Sequence, residues 1–256
     1  MVILRALCAV ACLALAGPAA AVECRLALAL ALDVSSSVDE AEDRLQRGGL
    51  AAALIAPEVQ AAMFATDLPV ALTVYEWSGR YNQALLVDWR LIRSPVDLLS
   101  VAETVGLSRR GHADSPTAMG YALGYGAGLL ARAPSCLFRT IDMAGDGLNN
   151  EGFPPRTAYA EFPFAGVTVN GLVVNVAAVG AKVSLIDFYR AEVLHGPGAF
   201  LEVAQGFDDY QRAMRRKLVR ELEPRAIGAR QPPDVIQNAA SGPAIDHTIN
   251  HMGRPG

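Results

Sequence analysis

The chain has 256 residues, of which 52% are hydrophobic and 19% charged, and a formal net charge of −4. That is enough apolar material for one α/β domain with a sizeable core. An acidic balance without a basic stripe excludes nucleic acid and anionic membrane surfaces as expected partners.

The first 21 residues, MVILRALCAVACLALAGPAAA, stand apart from that core. One arginine, an apolar run and a small-residue A-x-A end form the pattern of a secretory signal, with cleavage expected after Ala21. Arg5 and Gly17-Pro18 break the run short of a bilayer span, so no stable membrane anchor is expected after cleavage. The mature protein is then periplasmic or secreted, and losing Arg5 takes its net charge from −4 to −5. Cys8 and Cys12 leave with the signal; Cys24 and Cys136 remain, and in an oxidising compartment they are most simply one disulfide.

Arg25 to Asp33, RLALALALD, reads as a central parallel strand covered on both faces. Asp39 to Ala56 has early charges and helical apolar spacing, which predicts a helix. Leu68–Ser78 and Asn82–Trp89 read as strands joined at Gly79-Arg80, an antiparallel pair at one sheet edge. SPVDLLSVAETVG is a helix capped by Ser94, with Pro95 in its first turn. A polar loop, RRGHADSPT, precedes the helix AMGYALGYGAGLLARA, whose glycines point to close helix packing. SCLFRTIDMAGDG and GVTVNGLVV are strands, SLIDFYRAEVL a short helix, GAFLEVA a last strand and FDDYQRAMRRKLVREL a last amphipathic helix. Residues 223–256, rich in Pro, Gly and polar residues, read as a mostly disordered tail, with Asp246, His247 and His251 as solvated residues.

Strands alternating with helices predict an α/β, doubly wound, mostly parallel sheet over residues 22–222, with helices on both faces and one antiparallel edge strand. In such sheets ligands bind outside the carboxyl ends of the strands, where strand order reverses. Asp33 and Asp146 would end two strands there, with Thr117 in the loop between. The cysteines agree: Cys24 lies nine residues before Asp33 and Cys136 ten before Asp146. If the strands are parallel neighbours, the thiols meet at one end and the carboxylates at the other. Asp33, Ser35, Ser37, Thr117 and Asp146 offer only oxygen, a donor set for Mg²⁺, Mn²⁺ or Ca²⁺. The competing reading of Ser35 and Ser37 is a cap for the following helix.

DVSSS, the threonine of SPTAMGYAL and the aspartate of AGDG resemble the three parts of the metal-ion-dependent adhesion site of von Willebrand factor A domains. The resemblance implies that Ser35, Ser37 and Thr117 bind metal through hydroxyls, that Asp33 and Asp146 bind directly or through water, and that an Asp or Glu of a partner protein completes the coordination. GDGLNNEG, VTVNGLVV and HGPGAFLEVAQGFDDYQRAMRRKL resemble more narrowly the exported bacterial proteins grouped as domain of unknown function 1194, which implies no particular partner or reaction. His112, Asp114, Asn149 and Glu151 are expected at the rim. There is no G-x-S-x-G, H-E-x-x-H, P-loop or catalytically spaced Cys/His pair, so an enzyme is not expected. The rivals are a metal-assisted hydrolase with His112, Asp114 or Glu151 as base, and a structural module with a vestigial site.

Overall fold

The apolar run after Cys24 forms strand β1 (Cys24–Asp33), with every residue buried. Its side chains alternate by the two-residue pleat: Leu26, Leu28, Leu30 and Leu32 enter one core, and Ala27, Ala29 and Ala31 enter the other. The computed structural model describes residues 21–111, 114–175 and 184–224. Residues 1–20, His112 and, of the expected tail, residues 225–256 with Asp246, His247 and His251 lie outside the described residues.

After β1 come helices α1 (Glu40–Leu54) and α2 (Pro57–Met63), strands β2 (Val70–Trp77) and β3 (Gln83–Ile92), and helices α3 (Pro95–Leu107) and α4 (Met119–Ala131). Then follow β4 (Cys136–Gly145), α5 (Pro155–Glu161), β5 (Val167–Val174) and α6 (Leu185–Phe188), which runs into a π-helical turn, Tyr189–Val193. The short strand β6 (Leu201–Ala204), a 3₁₀ turn and α7 (Tyr210–Leu222) complete the order. The strands form one six-stranded sheet, β3-β2-β1-β4-β5-β6, in which only the β2–β3 pair is antiparallel. This is the expected α/β class, with β3 as the antiparallel edge. Among the described residues no helix is long and apolar enough to cross a membrane.

The leucine side of β1 packs with α1, α3 and α7, and the alanine side takes α4. Small residues on both partners explain the close approach: a Cβ at Gly126 of α4 would stand 2.7 Å from the Tyr75 hydroxyl and 2.9 Å from Ile141. On the other face α7 buries a lysine. Lys217 Nζ lies 2.6 Å from Asp142 Oδ1 and 2.8 Å from Glu221 Oε1, and all three side chains are at most 1% exposed. Asn170 Nδ2 donates to the same Glu221 oxygen at 2.7 Å.

Cys24 and Cys136 are register partners in the β1–β4 ladder and form the expected disulfide, with Cα atoms 4.5 Å apart. The bond closes a sequence separation of 112 residues, so it restricts mainly the unfolded chain. Replacing both cysteines by alanine is expected to lower stability by about 2–4 kcal/mol. Because a strand of this length holds the opposite rim about 30 Å away, ligand binding there should be unchanged. Chemical denaturation of the two forms, read beside a cation titration, checks both halves.

Candidate metal centre

The parallel register pairs Leu32 with Ala144, so Asp33 and Asp146 leave the sheet side by side at the carboxyl ends of β1 and β4. The sheet also changes winding direction between these two strands, with β2 and β3 on one side and β5 and β6 on the other. Gln46, buried in α1, donates to the Asp33 carbonyl at 2.8 Å and fixes the strand end.

The helix-cap reading of the serines fails on geometry. The N-cap of α1 is Asp39: its carboxylate accepts from the amides of Ala41 at 2.7 Å and Glu42 at 2.9 Å, and Glu42 returns the bond to the Asp39 amide. Ser35 and Ser37 turn elsewhere. Their hydroxyl oxygens are 3.1 Å apart, and Ser37 Oγ donates to Asp146 Oδ1 at 2.7 Å. Asp33 Oδ1 accepts from the Ser35 amide at 2.8 Å, while Asp33 Oδ2 is buried with no hydrogen-bond partner among the described residues.

Thr117 is brought in by backbone bonds from three directions. The Ser36 amide bonds Ser115 O, the Ala118 amide bonds Ser78 O, and the amides of Asn150 and Glu151 bond Thr117 O. Asn150 Oδ1 accepts from the Thr117 amide and Asn149 Oδ1 from that of Met119, each at 2.8 Å, so these asparagines hold the start of α4. A Cβ at Gly147 would meet Thr117 Oγ1 at 3.2 Å and Ser37 Oγ at 3.7 Å. The five expected residues thus gather at one rim. Asp33, Ser35 and Thr117 are buried, Asp146 is half-buried and Ser37 is exposed, so the cluster opens to solvent on the Ser37–Asp146 side.

Of the rim residues, Glu151 binds the Arg80 amide at 2.9 Å and its guanidinium at 3.0 Å, and Asp114 is exposed. Arg47 binds Asp43 at 2.9 Å, Glu76 at 2.6 Å and Ser108 at 2.7 Å, while Glu76 accepts from the Gly111 amide at 3.0 Å. That buried network ties α1, β2 and the start of the Thr117 loop together. Nothing in the sequence singles it out, and the same holds for Gly145 and Tyr189. A Cβ at Gly145 would lie 2.8 Å from Asp33 Oδ2 and 2.7 Å from the Tyr189 hydroxyl.

The electrostatics follow from burial. Desolvation, with Asp146 close by, raises the Asp33 carboxyl to a pKa of about 7. Asp146 is raised by desolvation and by Glu42, against the pull of the Ser37 bond. A divalent cation would relieve the charge crowding, and hydroxyls with carboxylates are hard donors that suit Mg²⁺, Mn²⁺ or Ca²⁺. Among the described residues no group of three or more His, Cys, Asp or Glu is gathered for a metal, so the candidate set is the mixed hydroxyl–carboxylate one.

The sheet order and this rim define a von Willebrand factor A-type fold. Solved structures similar to it include a von Willebrand factor type A protein from Catenulispora acidiphila, with a TM-score of 0.56 at 15% identity, covering 78% of this chain and 43% of that one. Proximal thread matrix protein 1 from the mussel byssus, solved with a zinc-occupied MIDAS motif, has a TM-score of 0.55 at 15% identity, covering 80% and 49%. The pilus adhesin SpaC from Lactobacillus rhamnosus GG has a TM-score of 0.57 at 12% identity, covering 78% and 30%. The chain therefore spans half or less of the length of each of these structures. No curated protein matches it in sequence. The chain belongs to the family described as protein of unknown function (DUF1194), whose model matches residues 23–226.

Proposed function

We propose that this chain is an exported protein-binding module that captures an acidic side chain of a partner protein through a divalent cation. Asp33, Ser35, Ser37, Thr117 and Asp146 would hold the ion, in a domain spanning residues 22–222 between a cleaved leader and the tail. The observation that carries the reading is the hydroxyl–carboxylate chain Ser35–Ser37–Asp146, set against a buried Asp33 oxygen without a partner. Bound there, the cation supplies a coordination position that an Asp or Glu of the partner can fill. The chain's own groups do the rest: the Ser35 amide orients Asp33, Asn150 fixes Thr117 and Asn149 the start of α4 behind it, and Ser37 and Asp146 form the solvent-facing lip.

Two further observations support binding over hydrolysis. Glu151, a candidate base, is committed to Arg80 through both of its oxygens. Tyr81, in the turn beside Ser78, is 84% exposed, the kind of aromatic that anchors protein interfaces. Zinc occupies the corresponding motif in the mussel protein, so Zn²⁺ belongs beside Mg²⁺, Mn²⁺ and Ca²⁺ in any test here. Immobilised protein with Mg²⁺ is expected to retain an exported partner that is released by chelator and not retained by Asp33→Ala. Equal retention by the variant, or in chelator, would contradict capture through a metal.

A further inference from the structure

Buried polar atoms normally have partners, and each exception calls for a reason. The described residues contain two such exceptions at one place. Asp33 Oδ2 and Tyr189 Oη are both buried, and neither has a hydrogen-bond partner among the described residues. Both face the α-carbon of Gly145, the last residue of β4. The point a Cβ would occupy there is 2.8 Å from one oxygen and 2.7 Å from the other, so any side chain at 145 would fill the space between them. The two orphans therefore border the same small pocket beside Gly145, and the other Asp33 oxygen is already held by the Ser35 amide.

Local backbone makes this placement specific. Tyr189 opens the π-helical turn Tyr189–Val193 that continues α6 to its end, and its side chain is fully buried. π-helical turns are rare and are frequently found at functional sites. A phenylalanine would fill the same apolar surroundings without stranding a hydroxyl, so packing alone does not account for the oxygen.

We propose that the Tyr189 hydroxyl is a positioning group for the metal centre, the donor that fixes the Oδ2 edge of Asp33 when a cation is bound. The carboxylate is then held at both oxygens, by the Ser35 amide on one and the tyrosine on the other. A ligand gripped in this way loses little freedom when it coordinates, which is how outer-shell partners raise metal affinity. Gly145 is the complementary requirement, since it leaves the pocket open. The inference rests on the metal reading given above.

The test is Tyr189→Phe, which keeps the ring and its packing. Mg²⁺ and Mn²⁺ are titrated calorimetrically into the wild type and the variant, and each metal-free protein is melted alongside. The expected result is affinity weaker by about ten- to a hundred-fold, with the metal-free melting temperature unchanged or raised because a buried unsatisfied hydroxyl has gone. Gly145→Ala should weaken cation binding as well, by closing the pocket. A lower metal-free melting temperature with unchanged affinity would make Tyr189 a purely structural residue and overturn the assignment. Equal affinity and equal melting would overturn it too. If the wild type binds neither ion, the metal reading itself fails and takes the assignment with it, an outcome distinct from the other two.

Discussion

Replacing Lys217 by methionine is expected to cost about 3–5 kcal/mol of stability, the usual penalty for removing one partner of a buried ion pair. Lys217 is the cation between Asp142 and Glu221, and none of the three side chains reaches solvent. Burial and the Glu221 charge already raise Asp142 to a pKa of about 8 in spite of the lysine. Without Lys217, two carboxyl groups face each other in apolar surroundings with no counter-charge between them. For a domain of this size each 1 kcal/mol moves the melting temperature by roughly 2–4 °C. Adding Asp142→Asn to the same variant should recover part of the loss, because it removes one stranded carboxyl group. A loss below about 1 kcal/mol would mean that the carboxylates find other partners and that the lysine is not their counter-charge.

This cluster is not legible in the sequence. Lys217 and Glu221 sit four apart in an amphipathic helix rich in arginine, where charged residues read as the solvated face. Only the strand order, which lays α7 against β5 and the Asp142 register, turns them inward. The seven-residue helices α2 and α5 were invisible for another reason. Each starts with proline, has no side-chain cap and is too short to display a 3.6-residue period. By contrast, the Ser94 cap with Pro95 behind it was legible, because local chemistry alone specifies it. The β1–β4 register was legible from the matched spacing of cysteines and aspartates, and the Cys24–Cys136 pairing agrees with it. The five candidate ligands could be named because oxygen donors at strand ends form a recognisable pattern. Tyr189 and Gly145 could not, since a tyrosine in a short helix and a glycine ending a strand look like ordinary core and turn residues until the fold brings them together.

The second large effect is a reversal of pH dependence by cation. In the metal-free protein Asp33 is raised to about 7, above the ~3.9 of an unfolded chain. Between those values the folded state holds a proton that the unfolded state has released, so stability is fullest at the acid end and declines as pH rises toward 7. Asp142 acts in the same direction and extends the decline to about pH 8. Below this window the trend turns over, because Asp88, Asp97 and Asp209 have lowered pKa values and stop contributing once they are protonated. Asp33→Ala should flatten the part of the curve that ends near pH 7 and leave the Asp142 part in place. Cation binding runs the other way: it needs the Asp33 carboxylate ionised, so the stabilisation given by Mg²⁺ or Mn²⁺ should grow from pH 5 to pH 7.5. Melting curves across that range, with and without cation, read both trends. Cation stabilisation that is independent of pH would place the ion away from Asp33.

The most direct test of the central claim is a calorimetric titration of the protein and of Asp33→Ala with Mg²⁺, Mn²⁺, Ca²⁺ and Zn²⁺ at pH 7.5, each paired with a thermal melt. A ligand that binds only the folded state must raise its stability by mass action, so saturable heat and a melt shift should appear together. The expected result is both in the wild type and neither in the variant, with the variant still folded in the absence of metal. Absence of binding by all four ions at millimolar concentration, or equal binding by Asp33→Ala, would contradict a metal centre at the Asp33–Asp146 rim.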